Sequence, residues 1–151
     1  DLSPENILIY QSHAFIIDFG MALRVPYNEL QQRCLLKRQG KYGKRHYMSP
    51  EVYQNKDFDG EAIDVWSAGT ILWCMVTGYA SYEVPQRTDP LFHHLTTPGC
   101  YPKLLRSYRC SLSPDCVNLL QSMLRVDPRE RLSIDEVLQH PWFRASTLQN
   151  K

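Results

Sequence analysis

The sequence predicts a mainly α-helical domain with one small β-hairpin at its front. Three observations carry this reading. Two short apolar runs, residues 6–10 and 14–18, flank Gln11-Ser12-His13. A long apolar stretch over 61–77 is followed by Gly78. Two strong helix starts, Ser113-Pro114-Asp115 and Ser133-Ile134-Asp135-Glu136, stand near the C-terminal end.

Each element follows from its residues. Asn6-Ile7-Leu8-Ile9-Tyr10 and the β-branched run before Asp18 read as paired strands, with Gly20 ending the second. Residues 21–47 carry no helix or strand pattern, and an irregular segment this long inside a domain is usually functional or disordered. A short helix fits 50–55 and another fits 91–96. The stretch from Pro85 to Pro102 is otherwise loop, broken by Pro85, Pro90, Pro98 and Pro102. At Ser113 a capping hydroxyl, a first-position proline and an acid at the positive end of the dipole start a helix with Val117, Leu120, Met123 and Leu124 on one face. At Ser133 a capping box starts the last helix, which runs to about His140. Pro141 ends it, and Trp142 and Phe143 pack back onto the core. Residues 145–151 read as a frayed tail.

Composition narrows the function classes. The 151 residues make about one domain, 43% apolar and 22% charged, which is ordinary for a globular protein. A net charge of +1 argues for neither a nucleic acid nor a membrane partner. The five cysteines form no C-x-x-C pair and no cluster with histidine at zinc spacing, so reduced thiols are expected. Residues 65–82 carry no formal charge and reach the lower length limit for a membrane span. Ser67, Gly69, Thr70, Thr77, Gly78 and Ser81, with Asp64 and Glu83 as flanks, read instead as a buried helix. With no secretory signal at the first residues, the expected compartment is the cytoplasm, with the nucleus left open. Within 21–47 the cations Arg24, Arg33, Lys37, Arg38, Lys41, Lys44 and Arg45 face one acid, Glu29. Such a loop is ordinarily a solvated surface, and it is also able to steer an acidic substrate or bind a phosphate.

The chemistry concentrates at the front. Asp1 and Asn6 in Asp1-Leu2-Ser3-Pro4-Glu5-Asn6 suit two jobs on one loop: a carboxylate to take a proton from a hydroxyl, and an amide oxygen to hold a cation. Asp18-Phe19-Gly20 follows directly on the second apolar run. Tyr47-Met48-Ser49-Pro50-Glu51 and Asp64-Val65-Trp66-Ser67-Ala68-Gly69 come later. In that order the four stretches resemble the protein kinase catalytic loop, metal-binding loop, activation-segment end and central helix. The Pro4-Glu5 pair looks like the serine/threonine version. The resemblance covers nearly the whole chain.

It implies a kinase-like C-lobe over residues 1–143, with 144–151 as the tail. The activity it implies is transfer of the ATP γ-phosphoryl group to a Ser or Thr hydroxyl of a protein substrate. Asp1 would orient and deprotonate the hydroxyl, and Asn6 and Asp18 would ligate Mg²⁺. Leu8 would lie beneath the adenine. Glu5 would join Leu8 in binding the cofactor, and would also be able to pair with an arginine in the substrate. Phe19, beside Gly20, would be both core and switch. Glu51 and Arg131 match a buried ion pair, and Asp64 matches an acid that accepts backbone N–H bonds from the catalytic loop.

Two departures from the family pattern stand together. Ser3 occupies a position where serine/threonine kinases usually carry Lys, and Lys44, after Gly43, one where they usually carry Thr. The expectation is an exchange, with Lys44 supplying the ammonium to Ser3 and Asp1 from the opposite side, and stabilising charge at the γ-phosphate. The other reading is decay towards a pseudokinase, a non-catalytic interaction module. A third departure is that no Ser or Thr lies between Asp18 and Ser49, so activity independent of phosphorylation in that segment is expected, with the loop cations free for an acidic element elsewhere. No Gly-rich loop, no strand lysine and no His-Arg before Asp1 is present, so a missing N-lobe is the expected partner and the piece alone is expected to be inactive.

Overall fold

The computed structural model describes residues 1–38, 40 and 42–147, with backbone alone for 145–147. A single 3₁₀ turn over Pro4–Asn6 leads into β1 (Ile7–Tyr10), which pairs antiparallel with β2 (His13–Ile16). Ile7 faces Ile16, and Tyr10 faces His13. Gln11 and Ser12 have φ of 46° and 62°, the left-handed pair a type I′ hairpin turn requires. The second strand stops two residues short of the expected end. The cause is Asp18, whose φ of 59° is incompatible with an extended strand.

From Gly20 to Ser49 the described chain is irregular apart from two isolated bridges, Tyr27 with Arg33 and Leu36 with Phe58. Seven α-helices follow among the described residues: α1 (Pro50–Tyr53), α2 (Gly60–Thr77), α3 (Pro90–Thr96), α4 (Tyr101–Ser107), α5 (Pro114–Met123), α6 (Ile134–Gln139) and α7 (Pro141–Thr147). Caps set most of the starts. Asp59 and Asp89 each accept two backbone N–H groups at the heads of α2 and α3. Ser113 accepts Cys116 N–H at α5, and Ser133 with Glu136 completes the capping box of α6.

Helix α2 is the axis of the core. Trp66 and Trp73 are fully buried, and Tyr82, Phe92, Tyr101, Leu119 and Leu120 close around them. Each fully buried leucine or phenylalanine contributes about 1.5–3 kcal/mol. Gly69 lets α5 approach, because a Cβ there would lie 3.0 Å from Met123 Cβ and Leu124 Cδ2. The indole of Trp66 donates to Tyr82 Oη at 2.7 Å, and that hydroxyl donates to Met48 O at 2.9 Å, so these two polar groups are paired within the core.

Two C-terminal expectations need correction. Pro102, read as a breaker, is the second residue of α4, where a helix needs no N–H. Pro141 follows the end of α6 as expected, but α6 is not the last helix: Pro141 also opens α7, whose backbone is helical through Thr147. Trp142 packs against the core, while Phe143 is half-exposed. The rest of the expected tail, 148–151, lies outside the described residues.

The front of the molecule is apolar and uncovered. Leu8, Ile9, Tyr10, Phe15, Ile16 and Phe19 are all exposed, Phe19 at 68%. A two-stranded hairpin has no second layer of its own to bury these side chains against. Leu8 and Phe19 are therefore not core residues in this chain. No described helix is long and apolar enough to cross a membrane, and the five cysteines are free thiols.

Candidate active site

The loop from Asp1 to Asn6 is held by its own backbone and by Asn6. The amide N–H of Asn6 bonds Ser3 O at 3.0 Å, and its side-chain Nδ2 donates to Asp1 O at 2.9 Å. Ile17 N–H donates to Asn6 O at 2.9 Å, which ties the start of the hairpin to the residue before Asp18. Asp1, Asn6 and Asp18 thereby line one open cleft of about 470 Å³, walled on its apolar side by Ile16, Phe19 and Phe58. Asp18 Oδ1 accepts Gly20 N–H at 3.2 Å, which turns the carboxylate back on its own loop.

Lys44 arrives from the far side. Its Nζ donates to Ser3 Oγ at 2.9 Å and lies 3.7 Å from Asp1 Oδ2 and 3.9 Å from Glu5 Oε2. Its backbone N–H donates to Asp1 Oδ1 at 3.1 Å. Ser3 is fully buried. The backbone N–H of Glu5 itself and then the Ser3 hydroxyl hold the exposed Glu5 carboxyl below its ordinary range.

Gly43, the neighbour of Lys44 in the sequence, sets the approach. It has φ of 93°, and a Cβ there would sit 3.1 Å from Asp1 Oδ1. Its signal in the sequence was simply a glycine before the displaced lysine. A recess of about 50 Å³ opens beside it between Asp1, Tyr42, Gly43 and Ser49, and the Ser49 hydroxyl is buried there without a partner among the described residues.

Glu51 and Arg131 are both buried and form a two-pronged pair, Nη1 to Oε1 at 2.8 Å and Nη2 to Oε2 at 3.2 Å. Arg131 also donates to Ala62 O and Arg125 O, and its guanidinium lies 5.0 Å from the Trp66 ring centroid. One side chain thus joins α1, α2 and the loop after α5. Asp64 differs from expectation. It is exposed beside the cleft and accepts no hydrogen bond among the described residues. Surrounding protein still desolvates it, which pushes its carboxyl up.

The profile of the protein kinase domain matches residues 1–143. The chain belongs to the protein kinase family. It is 34% identical over 148 residues to probable serine/threonine-protein kinase MARK-A of Dictyostelium discoideum, covering 97% of this chain and 12% of that protein. It is 35% identical to serine/threonine-protein kinase chk1 of Schizosaccharomyces pombe, covering 97% of this chain and 28% of that one. Maternal embryonic leucine zipper kinase of Danio rerio is 33% identical over 94% of this chain and 19% of its own length. The kinase chain therefore spans between 12% and 28% of the length of these curated relatives.

Proposed function

We propose that this chain is the C-lobe part of a protein kinase, residues 1–143, and that the whole protein transfers the γ-phosphoryl group of ATP to a Ser or Thr hydroxyl of a protein substrate. The observation that supports this best is the meeting of Asp1, Asn6 and Asp18 on one cleft, with Lys44 beside Asp1. Asp1 has one carboxylate oxygen on the Lys44 N–H and the other near its ammonium, which orients it as the base for the incoming hydroxyl. Lys44 and Ser3 are positioned to place one positive charge where the transferred group would sit.

The donor set suits Mg²⁺. Asn6 spends its amide N–H on Asp1 O, leaving its carbonyl oxygen, and Asp18 retains its second oxygen. Two hard oxygens on short loops match a cation that keeps several waters and also binds phosphate. Bound there, Mg²⁺ would neutralise phosphate charge. Leu8 offers an exposed apolar face for the adenine, and Glu5 an exposed acid on the substrate side. The remaining walls, and a cover for the apolar hairpin, would come from an N-lobe.

The test is phosphate transfer by the whole protein to a Ser/Thr peptide library with Mg²⁺ and ATP, with Asp1→Asn as control. Transfer that falls by about three orders of magnitude in the control is the expected result. No transfer by the unaltered protein would instead support the pseudokinase reading.

A further inference from the structure

The segment 21–47 combines a cation excess with a lack of Ser and Thr. The expectation that its cations stay free for an acidic element elsewhere does not hold for Arg33, Lys37 or Lys44. The first two meet three acids from one short stretch of the same chain. The guanidinium of Arg33 bonds the Glu61 carboxylate and lies 3.6 Å from Asp59 Oδ2. Lys37 Nζ is 2.9 Å from Asp57 Oδ2, and the other oxygen of Asp57 accepts Arg38 N–H at 3.1 Å. Between these pairs, Leu36 and Phe58 exchange both backbone hydrogen bonds, at 2.8 and 3.0 Å. Phe58 is buried, and a Cβ on Gly60 would already lie 3.0 Å from Leu36 and 3.1 Å from Val25.

We propose that Asp57, Asp59 and Glu61 form a built-in anionic clasp whose role is to position the segment that carries Gly43 and Lys44 to Asp1. In kinase loops with hydroxyls, an added phosphate orders the loop by pairing with arginine. Here the anions are already encoded, and they stand on a rigid mount, because Asp59 caps α2 and Glu61 lies in its first turn. Only five residues separate Arg38 from Lys44, so an anchor at the first restricts the second. The Lys37 side chain and the Arg38 N–H hold the Asp57 carboxyl below its ordinary value, consistent with a fixed negative partner. Each pair alone is partly exposed and weak, but two flanking a paired backbone and a buried Phe58 act on the same residues.

This inference rests on the kinase reading only for its effect on turnover, and the experiment separates the two. Hydrogen exchange of residues 25–38 is measured in the phosphatase-treated whole protein, beside Asp57→Asn/Glu61→Gln and, from the loop side, Arg33→Gln/Lys37→Gln. Both doubles are expected to speed exchange of the Leu36 to Arg38 amides by about three- to tenfold. They should also raise KM for the protein substrate or lower kcat several-fold while leaving KM for ATP unchanged. Exchange unchanged in both doubles overturns the clasp, as does a wild-type turnover that phosphatase treatment abolishes. If the wild type transfers no phosphate, the kinase reading fails and the exchange rates still decide the clasp.

Discussion

The ammonium of Lys44 stands 2.9 Å from the hydroxyl of Ser3, and the backbone N–H of the same lysine holds Asp1. A lysine that enters from the activation segment binds the acid with its main chain and the buried serine with its side chain. Lys44→Ala in the whole protein removes the charge and keeps the backbone bond. The expected result is a kcat lower by about one to two orders of magnitude, with KM for ATP within about twofold. An unaltered kcat would remove the proposed exchange of roles between positions 3 and 44.

Gly43 makes the main-chain part of that contact possible. Alanine there must hold a left-handed φ of 93° and press its Cβ against Asp1 Oδ1 at 3.1 Å. The backbone cost is about 1–3 kcal/mol, and the acid must shift. Steady-state kinetics of Gly43→Ala should show a lower kcat, with a melting temperature reduced only slightly because the site lies away from the α2 core.

The Glu51–Arg131 pair predicts an asymmetric response. Arg131→Met leaves a buried carboxylate unpaired and is expected to cost about 3–5 kcal/mol in urea unfolding. Removing the acid as well, in Glu51→Leu/Arg131→Met, should recover part of that loss. Recovery stays incomplete because the carbonyls of Ala62 and Arg125 also lose their donor.

Asp89 predicts the acid limb of stability. Desolvation pushes its carboxyl up, but N–H groups of Phe92, Glu83, Val84 and Leu91 outweigh it and hold the value below 3.8. A carboxyl whose folded value is depressed contributes stability that is present above 3.8 and lost as pH falls through the lower folded value. Asp89→Asn cannot accept all four bonds. It should unfold at lower urea at pH 7 and show a shallower loss of stability below pH 4. Parallel acid slopes in the two proteins would count against this.

Local chemistry explains what was legible in the residues. The hairpin, the α2 stop at Gly78, and the starts at Ser113 and Ser133 are decided by backbone groups within four positions of each other, so short patterns reveal them. The α4 helix was hidden because Pro102 is compatible with both a helix start and a break. Apolarity at Leu8 and Phe19 marked them as surfaces to be covered, but a pattern of apolar residues does not say what covers them.

The motifs from Asp1 to Arg131 carried the family and the candidate chemistry. Tertiary structure decided which groups meet: Lys44 with Ser3 across 41 positions, Arg131 with Glu51 across 80, and Arg33 with Glu61 across 28. Those meetings depend on how α2 packs and where the irregular segment is pinned. Charge and hydrogen-bonding capacity are readable one residue at a time, but distance is a property of the whole packed chain.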